Sequence, residues 1–375
     1  MILFRFNILL VFCLIFGATF SQSRKFYDNN DYKKKRHELN FGLGVSSCQT
    51  DVGGSQYNDQ ELSEKFGGTI FRSLYDTDLS SSNFALNAAY VYHFKNRINF
   101  RGNLIFSRIS GDDKQSPEFY RNNRSLNFRT DVLEISSVVE FYLKEPITGN
   151  KFNLKNVKGQ KLASNALSSL GVYISGGVGG FLFVPKAKNN FNYGNVLENN
   201  EFTPDGNKTE YHKLRPLHTE GQGYEVQPEG DEFNVPGKVF KAGKTYKPVA
   251  ICIPLGIGVQ KAFNSDMGIK AELGLRYTFT DYIDDVSGLY YDKSLLAQYN
   301  ENGNLAATMS GTNSGLTYGN SNEYTYTNIG FKRGNPENND YYAFLNVSYY
   351  KKFSSHGKVY KSIHSKEKRR IKVSF

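Results

Sequence analysis

The 375-residue sequence predicts an all-β fold: an eight-stranded antiparallel transmembrane β-barrel with long extracellular loops. Three observations predict it. Eight segments alternate apolar and polar or small residues with the period of two that puts successive side chains on opposite faces of a strand. The connections between them alternate between long and short. Beyond an N-terminal leader, no apolar run is long enough for a membrane helix. Composition agrees, with 26 Tyr, 29 Phe and 35 Gly suiting strands, aromatic girdles and tight corners. A mean hydropathy of −0.51 is compatible with a barrel, because only alternate strand residues need be apolar.

Residues 1–21 read as a signal peptide: Arg5 gives a positive start, Ile8 to Phe20 an apolar run, and Ala18, Thr19 and Ser21 a small-residue close. That run is too short for a span of about 20 residues. A basic periplasmic lead-in at 22–37 carries Lys33, Lys34, Lys35 and Arg36. The barrel is expected over 38–352 and a basic periplasmic tail over 353–375. Strand one, about 38–48, alternates Phe41, Leu43 and Val45 with Asn40, Gly42, Gly44 and Ser46. After a loop at 49–82 comes strand two, about 83–94, which joins strand three, about 97–109, through a tight turn at Lys95-Asn96. The loop 110–125 leads to strand four, about 126–144, and a polar connection to strand five, about 169–184, ended by Pro185. After the loop 185–247, strands six and seven form a hairpin over about 249–279, turning at Asn264-Ser265-Asp266. The loop 281–340 precedes strand eight, about 341–352. Long loops on one side and shorter connections on the other match an outer-membrane barrel whose termini both face the periplasm.

The alternation points six charges inward: Arg101, Glu134, Glu140, Lys270, Glu272 and Arg276. An eight-stranded barrel is about filled by its own side chains, so charges of both signs must pair there or carry a large desolvation cost. A structural ion network that plugs the lumen is expected, with Arg101–Glu140 its leading pair. His93, also inward, is expected to be a satisfied core residue. No Ser/His/Asp set falls on adjacent strands, so no catalytic residue is assigned. The runs Gly42-Leu43-Gly44 and Gly176 to Gly180 lack a following helix, which argues against a dinucleotide site and for glycines that let the sheet bend or let bulky neighbours pack. No cofactor and no metal site is expected. Asp281, Asp284 and Asp285, and Asp112 and Asp113, fit no cation-binding loop and read as solvated acidic loops. Asn207-Lys208-Thr209 matches a glycosylation sequon without an expected role. After leader removal two cysteines remain, Cys48 and Cys252, too few for a disulfide framework and expected as small buried strand residues. The basic ends, Lys33, Lys34, Lys35, Arg36, Lys366, Lys368, Arg369 and Arg370, would meet at the periplasmic rim, facing lipid phosphates or an acidic partner. Nucleic acid is excluded by compartment.

The stretch Tyr120-Arg121-Asn122-Asn123-Arg124-Ser125-Leu126-Asn127-Phe128-Arg129-Thr130-Asp131, running into Leu133-Glu134-Ile135-Ser136, resembles PorG-like outer-membrane barrels of the Bacteroidota type IX secretion system. Ile109 to Asp113, the Gly-Leu-Gly of strand one and Pro254 to Val259 fit the same pattern. The resemblance implies a non-catalytic component of the secretion and gliding motility machinery, in contact with a periplasmic ring built from a lipoprotein and a partner subunit. The form of the arginine-rich stretch departs from the family's pattern, and the insertions at 186–246 and 281–340 exceed the family core. A small binding or transport barrel, capturing a ligand with its extracellular loops, is the alternative from the residues alone.

Overall fold

The computed structural model describes residues 35–53, 82–116, 121, 124, 126–146, 170–189, 210–225, 243–263, 266–311 and 330–353. The leader, Lys33, Lys34, the tail cations, the sequon and the turn residues Asn264-Ser265 lie outside the described residues.

Period-two alternation becomes strands wherever the sequence carries it. They are β1 (His37–Gln49), β2 (Asn83–Lys95), β3 (Ile98–Asp112), β4 (Asn127–Lys144) and β5 (Gly171–Lys188). A short β6 (Tyr211–Lys213) follows, then β7 (Val249–Ala262), β8 (Met267–Thr278) and β9 (Tyr341–Phe353). Eight of them form one antiparallel ring. The order β4-β3-β2-β1-β9-β8-β7-β5 is closed by the β4–β5 ladder, while β6 pairs only with the far end of β5. Closure leaves the eight-stranded ring without a free edge, which is the condition for a sheet to sit in lipid.

The faces are inverted relative to a water-soluble barrel. Leu43 (70 % exposed), Ile135 (67 %) and Val178 (66 %) point outward in a continuous apolar belt. Glu38, Asn99, Arg101, Glu134, Glu140, Lys270 and Arg276 are buried inside. This is the arrangement of a membrane-spanning barrel, with grease toward the acyl chains. Both cysteines are buried thiols, Cys48 on β1 and Cys252 on β7.

Two prolines mark local departures. Pro185 does not end the fifth strand, which runs three residues further. Its carbonyl accepts from Leu214 N at 3.0 Å, so its missing N–H faces the returning loop, beyond the β7 ladder, which ends at Leu182. Proline is tolerated on that side. Pro254 sits in mid-strand, and the β5–β7 pairing is interrupted beside it between Gly176↔Leu255 and Gly179↔Cys252. Inward glycines create volume. A Cβ on Gly258 would overlap the Tyr173 ring, and one on Gly274 would meet Phe344 and Arg276.

At the long-loop end the connections pack as a cap. Two short helices, α1 (Lys293–Tyr299) and α2 (Gly303–Met309), lie there, α1 being capped by Asp292, which accepts from Ser294 N at 2.8 Å. Leu214, Leu217, Ile283, Val286, Leu296, Ala306 and Met309 from the loops join Ile109, Phe128, Val132, Phe181 and Phe183 from the strand tops in one apolar cluster. The segments read as polar loops over 185–247 and 281–340 thus contain folded structure that the sequence pattern does not announce.

Candidate functional site

The inward positions assemble two layers of charge across the lumen. The lower layer lies toward the chain termini and is centred on Arg101 of β3. Its Nη1 stands 2.9 Å from Glu140 of β4, and its Nη1 and Nη2 reach Glu272 of β8 at 2.5 and 2.7 Å. Tyr173 of β5 donates to Glu272 at 2.8 Å. Lys270 of β8 bridges Glu38 of β1 at 2.6 Å and Glu140 at 3.6 Å. His93 of β2 completes the ring, its Nε2 3.0 Å from Glu38 and its Nδ1 2.9 Å from Asn99. The upper layer is smaller. Arg276 of β8 donates through Nε to both oxygens of Glu134 on β4, at 3.1 and 2.9 Å, and Tyr342 of β9 donates to the same carboxylate at 2.8 Å. The Arg276 guanidinium lies 4.4 Å from the Phe344 ring centroid.

All six charges predicted to face the lumen do so, and Arg101 meets Glu140. The sequence reading missed three participants. Glu38 stands in phase with Asn40 and Gly42 but at the first turn of the strand, where alternation has not yet declared a face. Tyr173 and Tyr342 carry their hydroxyls into the lumen on aromatic bodies, and a tyrosine's side of the sheet says nothing about its hydrogen-bond partner. Chemically, the layers place acids against bases at hydrogen-bond distance with almost no solvent. That arrangement fills space and ties neighbouring strands together across the lumen.

A second charged assembly holds the cap together. Buried Arg124 donates through Nε to Asp113 at 2.5 Å and through its Nη atoms to the carbonyls of Arg333 and Asp51 at 2.6 and 2.7 Å. Buried Arg333 reaches Glu220 at 2.9 Å and the carbonyl of Asp285 at 2.8 Å. The acids expected as solvated loops are not solvated. Asp281, Asp284, Asp285 and Asp113 are buried, and Asp112 is half-buried. For Asp284, Asp113 and Asp285 the reason for burial is visible in their partners. Asp284 accepts from the backbone N–H groups of Val52 and Val286, both at 2.9 Å, Asp113 from that of Gly53 at 2.9 Å, and Asp285 from the hydroxyls of Thr219 and Tyr246. They replace water for loop backbone that has left it. Burial, with Asp51 and Asp284 as near neighbours, pushes Asp281 up to about 9. Burial and Asp51 push Asp284 up to about 8, and burial also raises Asp285, to about 6, against the pull of Arg333. Asp340 is raised by burial and by Asp284 and Asp281. Among the described residues no three Asp, Glu, His or Cys side chains converge as a metal site.

Of the cations predicted to meet a periplasmic partner, two are described, and both are engaged with the barrel. Lys35 pairs with Asp266 across the terminal rim, and Arg36 donates to the Tyr92 hydroxyl at 2.9 Å.

No family model matches the chain, and no curated protein does. Solved structures that resemble it include a β-barrel domain and an outer-membrane protein. The N-terminal barrel domain of OprF from Pseudomonas aeruginosa aligns at 7 % identity and TM-score 0.27, over 84 % of this chain and 98 % of that one. Neisserial surface protein A aligns at 7 % and 0.30, over 84 % and 97 %, and OprG from Pseudomonas aeruginosa at 8 % and 0.29, over 86 % and 98 %.

Proposed function

We propose that this chain is a non-catalytic outer-membrane barrel that serves as a membrane-anchored scaffold, with its termini in the periplasm and its capped end outside the cell. The observation that carries this reading is the filled lumen. A protein whose interior is occupied by paired charges, and whose outer wall is an apolar belt, has its surfaces rather than its interior available for work. The resemblance to the PorG-like barrels narrows the scaffold to the type IX secretion and gliding machinery. In that role it contacts the periplasmic ring lipoprotein and its partner subunit. Lys33, Lys34, Lys366, Lys368, Arg369 and Arg370 are the proposed contacts, since Lys35 and Arg36 are engaged by Asp266 and Tyr92.

Deleting the gene is expected to block secretion of proteins that bear the type IX C-terminal signal, while a pull-down from the envelope recovers the ring subunits. Replacing the four tail cations with glutamine is expected to lose the ring subunits and retain the barrel in the membrane. Normal secretion in the deletion strain sinks the secretion role and leaves the barrel itself standing.

A further inference from the structure

Outward-facing charge is concentrated on one side of the barrel, just above the apolar belt at the capped end. Arg129 of β4, Lys186 of β5 and Lys213 of β6 are direct cross-strand partners, so three cations stand in one row across three strands. Directly opposed like charges destabilise a sheet. Two devices hold them. Asp131, one step nearer the belt, pairs with Lys186 at 2.9 Å and with Arg108 of β3 at 2.7 Å. Tyr211 of β6 lies under both Arg129, at 3.6 Å from its ring centroid, and Lys188, at 4.6 Å. Asp131 is the one acid these five cations reach among the described residues, and Arg129 Nε has no hydrogen-bond partner there.

Long cationic side chains at a membrane interface commonly lift their heads to the polar region, and such girdles encircle a barrel. This one does not. At the same end of the opposite wall the outward positions are Tyr277 and Phe279 after β8 and Tyr341 of β9, which carry no charge. Below the row the wall turns apolar at once, at Phe106, Leu133 and Leu182, which pair across β3, β4 and β5. Five cations against two outward carboxylates, Asp131 and, at the top of β3, Asp112, stand at the headgroup level above a bare apolar surface and complement a molecule with phosphates above and acyl chains below.

Resting on the outer-membrane orientation proposed above, we infer that the β3–β6 wall is a binding site for the phosphorylated headgroup of an outer-leaflet lipid of the lipid A class. Arg129 and Lys188, held together by Tyr211, take a phosphate through charge-assisted hydrogen bonds, Arg129 with the geometry for a two-pronged contact. Lys213 and Lys186 extend the row, and the acyl chains lie along Leu133, Leu182 and Phe106.

The test uses the full-length protein refolded in detergent and titrated with diphosphoryl lipid A, followed by native mass spectrometry. The comparison probes are dephosphorylated lipid A, phosphatidylethanolamine and inorganic phosphate. Diphosphoryl lipid A is expected to bind in preference to all three. Each interfacial cation adds about fivefold to binding of an anionic lipid, so the triple variant R129Q/K188Q/K213Q is expected to bind about 10²-fold more weakly. Lys351→Gln, a cation on β9 at the terminal end, is expected to bind as wild type does. Asp131→Asn, which removes the competing carboxylate, is expected to bind about fivefold more tightly and keeps the inference testable where the triple variant does not fold. Equal binding by the triple variant, or weaker binding by Asp131→Asn, overturns the inference. Equal binding of dephosphorylated lipid A, or of inorganic phosphate alone, also overturns it. Insertion into phosphatidylcholine vesicles is measured alongside. Failure to insert overturns the membrane reading itself, whereas insertion without lipid A preference overturns the site alone.

Discussion

At Arg101 one guanidinium faces two carboxylates, Glu140 and Glu272, with the Tyr173 hydroxyl on the second. Removing one partner of a buried ion group leaves an uncompensated charge and costs about 3–5 kcal/mol. Arg101→Met is therefore expected to lower the stability of the barrel in phospholipid vesicles by that amount, read as a shift of the urea midpoint at unchanged slope. The double variant R101M/E272Q removes one of the two stranded charges, leaving Glu140 to Lys270, and is expected to recover a good part of the loss. A double variant as unstable as the sum of its singles would show that the two side chains are not coupled. The six lumen charges were legible because each stands at least two residues inside its strand, where alternating neighbours on both sides fix its face. Glu38 was not, because it stands at a strand's edge. The glycine runs at 42–44 and 176–180 read as bends or as room for bulky neighbours, whereas Gly258 and Gly274, which lie against rings, carry no such signal in the sequence. Tyr173 beside Gly258 is decided by the register of β5 against β7, in which the two residues are direct partners.

The elements divide by how their order is encoded. Strand limits follow from a local period, and all eight were readable to within a few residues, the end of the fifth excepted. There Pro185 looks like a stop until the direction of its missing N–H is known. The cap has no period to read. Ile283, Val286, Leu296 and Met309 touch Leu214, Leu217 and the strand tops through contacts between distant stretches of chain, so isolated apolar residues in polar loops gave no signal. The same burial makes the cap sensitive to pH. Asp281 and Asp284 hold their protons in the fold up to about 9 and about 8, against an ordinary 3.8 in the open chain. Between these limits the folded cap binds more protons than the unfolded one, so its stability falls as pH rises and levels off above about 9. Hydrogen exchange at the amides of Val52, Ile283 and Val286, corrected for intrinsic rates, is expected to accelerate from pH 6 to 9 while mid-strand amides of β2 and β3 stay protected. Asp281→Asn removes one titrating group, worth about 1.36 kcal/mol per pH unit within the window, and is expected to flatten the profile. An unchanged slope in that variant would assign the pH response elsewhere.

For the molecule as a whole, the two charged assemblies lie in series along the barrel axis, with Glu134 and Arg276 between the lower layer and the cap. An ion crossing the barrel would have to part Arg101 from Glu272, then Arg276 from Glu134, and then pass the sealed loops held by Arg124 and Arg333. Each separation exposes a charge in a place that cannot solvate it, so the barrier is the sum of steps that each cost several kcal/mol. Reconstituted into planar bilayers, the protein is expected to carry no steady current. Neutralising a single pair is not expected to open it, because Tyr342 and, in the room left by Gly258 and Gly274, Tyr173 and Phe344 still fill the section. The variant Y173A/E272A/R101A takes bulk and charge from the lower layer, yet the Glu134–Arg276 layer and the cap held by Arg124 and Arg333 remain, so no steady current is expected from it either. Steady conductance in the wild-type protein would mean that the ion network is a gate rather than a plug. The scaffold reading would then give way to transport, because an interior that opens is an interior with work to do.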